Sequence, residues 1–235
     1  KEAQDNKKGK IFTKIARELT VAAKIGGGDP SANSRLRLAL DKARSANMPK
    51  DNVERAIKKG TGEGNDQVFE DITYEGYAPG GIGILVKTLT DNRNRTIMEV
   101  RTVITKRGGS MAEAGAVAWQ FENKGIIEVP ISACSEDDIM NYALEAGAED
   151  VVTDGDIYSV TTEPSEFEAV KKILEDNKLP IDYAELTMKP KTTIDVDGDA
   201  AKKLIAMVEA LEDLDDVQEV YGNYKIDDSV FDEME

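Results

Sequence analysis

The sequence predicts an α+β protein: a basic N-terminal helical domain followed by two ferredoxin-like α/β domains, the last inserted in the middle one. Three observations carry that reading. The first 65 residues show helical apolar spacing and a surplus of cations. Strand-like and helix-like runs alternate from residue 66 onward. Their order contains two β-α-β-β-α-β successions, one nested within the other. The expected boundaries are 1–66 for the helical domain, 67–130 plus 191–235 for the middle domain, and 131–190 for the insert.

The helical part comes first. Ile11, Ile15, Leu19 and Ala22 recur at helical spacing between Lys7 and Ile25, and Gly26-Gly27-Gly28 stops the run. Asp29-Pro30 reads as an N-cap followed by a first-turn proline, opening a second helix that runs to about Ala46 with Leu36, Leu40 and Ala43 inward. Pro49 starts a third helix through Val53, Ala56 and Ile57, ending at Gly60. Gly60–Asn65 then reads as a flexible linker.

Strands follow at 71–77 and 82–89 around the turn Ala78-Pro79-Gly80-Gly81. Asp91 or Asn92 opens a helix with Ile97, Val100 and Ile104 inward, closed by Gly108-Gly109. Val117–Phe121 and Ile126–Val129 read as strands around a turn at Asn123-Lys124-Gly125. Helices near 136–146 and at 165–177 flank strands near 150–153 and 156–162, and a strand at 181–188 completes the insert. Thr192–Val196 is a further strand. A helix at 199–212 has Ala201, Leu204, Ile205, Val208 and Leu211 inward. Val217–Lys225 is the last strand, before an acidic tail.

Composition removes several classes of function. The chain has 235 residues, one Cys and no His. Cys134 alone forms no intrachain disulfide and no cysteine-based zinc site. Without His there is no Ser-His-Asp triad and no His-ligated metal. No apolar run reaches the roughly 18 residues of a membrane span. No enzyme, catalytic residue, metal or cofactor is expected, and the expected setting is the cytoplasm.

Charge is the informative quantity. Thirty Lys+Arg stand against 46 Asp+Glu, a net of −16. That figure argues against nucleic acid only until it is divided along the chain. Residues 1–65 hold 15 basic and 8 acidic side chains, a net of +7, and residues 131–235 hold 8 and 29, a net of −21. Such asymmetry marks modules with different partners. Lys7, Lys10, Lys14, Arg17 and Lys24 share one stripe of the first helix, and Arg37 and Arg44 lie on an outer face of the second. Arg55, Lys58 and Lys59 sit near the close of the third. Several cations on one accessible face suit phosphates, and an ordinary solvated helix face is the competing reading. Arg93 and Arg95 stand at a helix start, where they oppose the dipole unless an anion or an acidic neighbour such as Asp91 compensates them.

Other features carry less. Gly60-x-Gly62-x-Gly64 follows a helix, so the dinucleotide fingerprint fails. Asp195-x-Asp197-Gly198-Asp199 lacks the closing Glu of a calcium loop and reads as a helix cap. The carboxylates after residue 131 single out no pair. Cys134 reads as a passive thiol, and Trp119 and Tyr77 as core residues.

One resemblance covers nearly the whole chain. Its residues are Lys8-Gly9-Lys10-Ile11-Phe12-Thr13-Lys14, Gly26-Gly27-Gly28-Asp29-Pro30, Asn33, and Arg35-Leu36-Arg37. They continue with Ala46-Asn47-Met48-Pro49-Lys50-Asp51-Asn52, Glu54-Arg55-Ala56-Ile57, Tyr74-Glu75-Gly76-Tyr77-Ala78-Pro79-Gly80-Gly81 and Thr90–Thr96. Asp215-Asp216-Val217-Gln218, Val220-Tyr221 and Asn223 close the pattern. The chain resembles the YebC/PmpR family. The resemblance implies three domains and a non-enzymatic, cytoplasmic regulator of gene expression that binds DNA. The family's link to translation implies the alternative, a factor that binds ribosomal RNA and activates translation or relieves stalling. The nucleic-acid-binding residues expected on both grounds are Lys7, Lys8, Lys10, Lys14, Arg17, Lys24, Arg35, Arg37, Arg44, Arg55, Lys58, Lys59, Arg93 and Arg95. A protein partner on the acidic α/β body and a monomeric state are also expected. Family members usually begin with a further basic stretch containing His and Trp, which the resemblance places before Lys1.

Overall fold

Helix α1 spans Glu2–Gly26, α2 spans Ser34–Ser45 and α3 spans Lys50–Thr61. The structure, a computed structural model, describes residues 2–62 and 66–232. Residues 63–65 of the expected linker, and the last three of the acidic tail, lie outside the described residues. Ile15, Leu19, Ala22, Leu36, Ala39, Ala43 and Ala56 form the core of the three helices. Ile11, expected in the same row, is 44% exposed.

Two local expectations are corrected here. The cap of α2 is Asn33, not Asp29: Asn33 Oδ1 accepts from Leu36 N at 3.1 Å. Asn33 Nδ2 meanwhile donates to Ala22 O and Gly27 O, each at 2.8 Å. One buried amide thus closes the end of α1 and opens α2. Asp29 instead accepts from the backbone and hydroxyl of Ser31, making a turn. Gly60 is not linker. It is buried in α3, where a Cβ would lie 2.3 Å from Thr20 O and 2.9 Å from Ala23 Cβ. Glycine lets α1 and α3 approach closely there.

The chain divides into two units, residues 1–118 with 193–235, and residues 119–192. In the first unit, β1 (Glu70–Ala78) and β2 (Ile82–Thr90) form a hairpin. Helix α4 (Arg93–Lys106) follows, capped by Asn92 Oδ1 on Arg95 N at 3.1 Å. Strand β3 (Ser110–Ala112) returns beside β1. Its three residues carry no periodicity, so the sequence does not predict it. Across the unit-two insertion come β8 (Ile194–Val196), α7 (Gly198–Glu212), β9 (Val217–Gly222), β10 (Tyr224–Ile226) and α8 (Asp228–Asp232). The sheet order is β3-β1-β2-β9, all antiparallel. Ile82, Ile84 and Val86 pack beneath Val100 and Ile104 of α4 and Leu204, Met207 and Leu211 of α7.

The expected strand 217–225 breaks at Asn223. Its Oδ1 accepts from Gly83 N at 2.9 Å, so the amide side chain takes over the ladder. Beyond the break β10 pairs in parallel with β8 as a separate two-stranded sheet. The strand expected at 192–196 is present as β8, but it lies in this separate sheet and not in the β3-β1-β2-β9 sheet.

The second unit runs β4 (Phe121–Pro130), α5 (Glu136–Glu145), β5 (Asp150–Asp154), β6 (Ile157–Thr162), α6 (Phe167–Asp176), β7 (Tyr183–Pro190). Its antiparallel sheet has the order β5-β6-β4-β7, and the succession is β-α-β-β-α-β. Ile127, Val129, Tyr158, Val160, Ile139, Phe167, Val170 and Leu174 are buried. The expected turn at 123–125 and the separate strand at 117–121 are corrected: residues 118–120 form a short 3-10 turn, and β4 is continuous. Gly125 sits mid-strand because a Cβ would strike Thr162 Oγ1 at 2.3 Å and Phe167 Cδ2 at 2.5 Å.

Candidate nucleic-acid interface

The basic stripe of α1 meets the first unit's own acidic residues. Lys10 Nζ lies 2.7 Å from Asp213 Oδ1. Lys14 Nζ donates to the Glu212 carbonyl. Burial pushes the Lys14 ammonium down, against the pull of Glu212, Asp213 and Asp215. Arg17 Nη1 donates to Leu89 O at 2.8 Å and to Asp216 Oδ1 at 2.9 Å.

Asp216 is the centre of this contact. Its side chain is 1% exposed. Besides Arg17 it accepts from Arg95 Nη2 at 2.8 Å, Arg95 Nε at 3.0 Å and Thr96 Oγ1 at 2.7 Å. Burial alone would raise its carboxyl, but the bonds from Arg95, Thr96 and Arg17 outweigh it and hold the group below the ordinary range. Arg95 also pairs with Asp91 at 2.7 Å. The acidic neighbour that a cation at a helix start requires is thus present twice. Arg93 lies 3.4 Å from Glu70.

Arg35 is similarly occupied. It bonds both oxygens of Glu18, at 2.7 and 3.0 Å, and both oxygens of Asp71, at 3.0 and 3.1 Å. Those bonds raise the guanidinium's affinity for its proton, and they tie α2 to α1 and β1. Arg37 donates to Pro30 O and Ser31 O. Lys24 donates to Gln67 O and Lys59 to Gln67 Oε1. Lys42, which is not among the expected binding residues, pairs with Glu219 at 2.6 Å.

The remaining expected cations point outward. Lys7 is exposed and lends a weak pull to Glu212. Lys8 lies over the Phe12 ring at 5.6 Å. Arg44 is 80% exposed, 3.1 Å from Asp41. Arg55 and Lys58 are exposed on α3, and neither has an acidic partner among the described residues. The expected set therefore divides into cations that bind the first unit together and cations that face solvent.

Other candidates settle into structural places. Trp119, expected in a core, is 67% exposed, because the 3-10 turn replaces the strand that would have buried it. Burial raises the Cys134 thiol, with Asp138 adding to it. The cleft lined by Ile15, Glu18, Ala39, Lys42, Lys87, Gln218 and Glu219 holds about 50 Å³, far below the 300–1,000 Å³ of ligand pockets. Among the described residues no group of Cys, Asp and Glu is arranged to hold a metal. No helix among them is long and apolar enough to cross a membrane.

Comparison with known proteins places this geometry. The family description "TACO1/YebC protein N-terminal domain" matches residues 1–63, and "TACO1/YebC second and third domain" matches residues 69–224. The chain belongs to the TACO1/YebC family.

Relatives of this TACO1/YebC chain include proteins named "probable transcriptional regulatory protein". One from Chlorobaculum parvum is 50% identical, covering 100% of this chain and 94% of the relative. One from Acidithiobacillus ferrooxidans is 54% identical, covering 97% and 91%. A crystal structure of a conserved hypothetical protein from Aquifex aeolicus is 48% identical, with a TM-score of 0.82 over 93% of this chain and 90% of that one. The family resemblance rests partly on Asp215-Asp216-Val217-Gln218, although spacing alone assigns Asp216 no role. Its partner Arg17 lies 199 residues away, a pairing that no local pattern signals.

Proposed function

We propose that the chain is a nucleic-acid-binding regulator of gene expression, a DNA-binding transcriptional regulator acting in the cytoplasm without a catalytic step. The observation that carries this is the exposure of Lys8, Arg55 and Lys58 with no acidic partner among the described residues, in a chain whose acidic residues outnumber its basic ones 46 to 30. Lys7 and Arg44 extend the phosphate-facing set, with Lys24, Arg37, Lys59 and Arg93 at its margins. Lys10, Lys14, Arg17, Arg35 and Arg95 act by holding the helical module in place. The names of the relatives support the regulatory role. The acidic residues beyond 131 repel phosphates and orient the approach.

Phosphate contact makes affinity salt-dependent. With about six contacts, log affinity falls against log salt with a slope of roughly −5 on duplex DNA. Reversing Lys8, Arg55 and Lys58 to Glu removes about three contacts and makes the slope shallower by nearly 3. A flat salt dependence in the wild-type chain rules the mechanism out.

A second reading, recognition of folded RNA on the ribosome, is favoured by the internal use of Lys10, Lys14 and Arg17. With that stripe occupied, α1 presents no uniformly basic face for a major groove, and recognition by shape and backbone suits RNA. Gel shifts on duplex DNA, run beside ribosome co-sedimentation, separate the two.

A further inference from the structure

We infer that the end of α4 and the two glycine turns beside it form a second phosphate-binding surface for the same nucleic acid. This rests on the nucleic-acid reading above and adds a site outside the helical module. Arg101, Lys106 and Arg107 are exposed at the C-terminal half of α4 and its cap. None has an acidic partner among the described residues. In a chain of −16, a cation has many opportunities to meet a carboxylate, and Lys10, Arg17, Arg35, Lys42 and Arg95 all do. Arg101, Lys106 and Arg107, on different sides of one helix end, are left without one, as Lys8, Arg55 and Lys58 are on the helical module. A helix C-terminus favours cations at Lys106 and Arg107. It does not account for Arg101, more than a turn upstream.

The backbone beside these cations is bare. Gly108 sits at φ 83° directly after Arg107. A Cβ on it would lie 3.5 Å from Pro79 Cγ, and one on Gly109 would lie 2.3 Å from Tyr77 O. Ser110 pairs with Tyr77. The turn after α4 therefore abuts the β1–β2 turn, Pro79-Gly80-Gly81. Gly80 and Gly81 have φ of 87° and 75°, and a Cβ on either would meet nothing within 4 Å. Pro79, Gly80, Gly81 and Gly108 are exposed, and Gly109 is half-buried. Positive φ favours glycine at Gly80, Gly81 and Gly108, and among the described residues no group fills the space beside Gly80 and Gly81. Side-chain-free backbone flanked by guanidinium and ammonium groups suits the close approach of a sugar-phosphate backbone.

The test uses the full chain with Arg101→Glu, Lys106→Glu and Arg107→Glu combined, against a 20-base-pair DNA duplex and an RNA hairpin of matched charge. The expected slope of log affinity against log salt becomes shallower by about 2.7 on the duplex, and affinity falls on the order of 10²-fold at 0.1 M salt. The probe with the larger loss names the source of the phosphates. Thermal unfolding is expected to be unchanged; if the midpoint falls, the Gln versions of the same three replace the Glu versions. Affinity and slope equal to wild type, while the Lys8, Arg55 and Lys58 reversals weaken binding, overturn this inference and leave the proposed function standing. A wild-type chain that binds neither probe overturns both.

Discussion

Arg17, on the first helix, donates to Oδ1 of Asp216 at 2.9 Å, and that same oxygen accepts from Arg95 at 2.8 Å. One buried carboxylate thus joins the helical module to the start of α4 and the start of β9. Buried ion pairs are costly to desolvate, and breaking one by removing a partner leaves the other charge uncompensated.

Asp216→Asn is accordingly expected to destabilise the first unit by about 3 kcal/mol, the low end for a buried pair, because Arg95 keeps Asp91. Urea unfolding measures the loss. Lys10→Ala, at a solvent-exposed pair, is expected to cost under about 1 kcal/mol. Equal losses in the two variants would refute the central place given to Asp216.

Acid is expected to act through the same carboxylate and through Glu75. Burial raises the Glu75 carboxyl, yet backbone donors at Gly115, Ala118 and Val117, at 2.6, 2.6 and 2.8 Å, hold it below the ordinary range. Asp216 is likewise depressed. A folded-state value below the unfolded one means that stability is fully present above the unfolded value, about pH 4, and is lost as pH falls through the folded value. Urea midpoints are expected to hold from pH 7 to 5 and to drop below about pH 4. Asp216→Asn is expected to flatten that drop.

Charge reversal is expected to separate the two kinds of cation. Lys10→Glu, Lys14→Glu and Arg17→Glu together set like charges beside Asp213, Glu212 and Asp216, so the thermal midpoint falls. The Lys8, Arg55 and Lys58 reversals leave the midpoint within a few degrees of wild type and change only the binding of nucleic acid. Differential scanning calorimetry beside a gel shift reads both effects.

Gly60→Ala is expected to destabilise despite the roughly 1 kcal/mol that Ala gains over Gly in a helix. The added Cβ meets backbone, Thr20 O at 2.3 Å, which has little room to move. A lower urea midpoint is the expected reading; a higher one would show that α1 and α3 separate freely.

Periodic elements were legible in the sequence because their apolar spacing is set by the core they face. The helices at 93–106 and 198–212 follow Val100, Ile104, Leu204 and Leu211 in this way. Elements governed by a single close approach were not. Gly125 and Gly60 looked like turn and linker residues, and each is a contact where a Cβ has no space. Asn33 capped α2 in place of Asp29 because only its amide also reaches Ala22 and Gly27. In the candidate site, the sign asymmetry along the chain was legible, but the mating of the stripe with Asp213 and Asp216 was not, since helical spacing says which residues share a face and not what that face meets.

The second unit begins and ends on neighbouring strands: Phe121 pairs with Pro190, and Lys191 N donates to Gln120 O at 2.9 Å. The chain therefore enters and leaves this unit through one narrow neck, and the two cut ends lie about one strand spacing apart. Residues 119–192 are in that sense a cassette. Excised and bridged by a few glycines, they would leave the first unit's polypeptide continuous, and joined at the neck in a different order they offer a natural point for circular permutation or for exchange with another β-α-β-β-α-β unit.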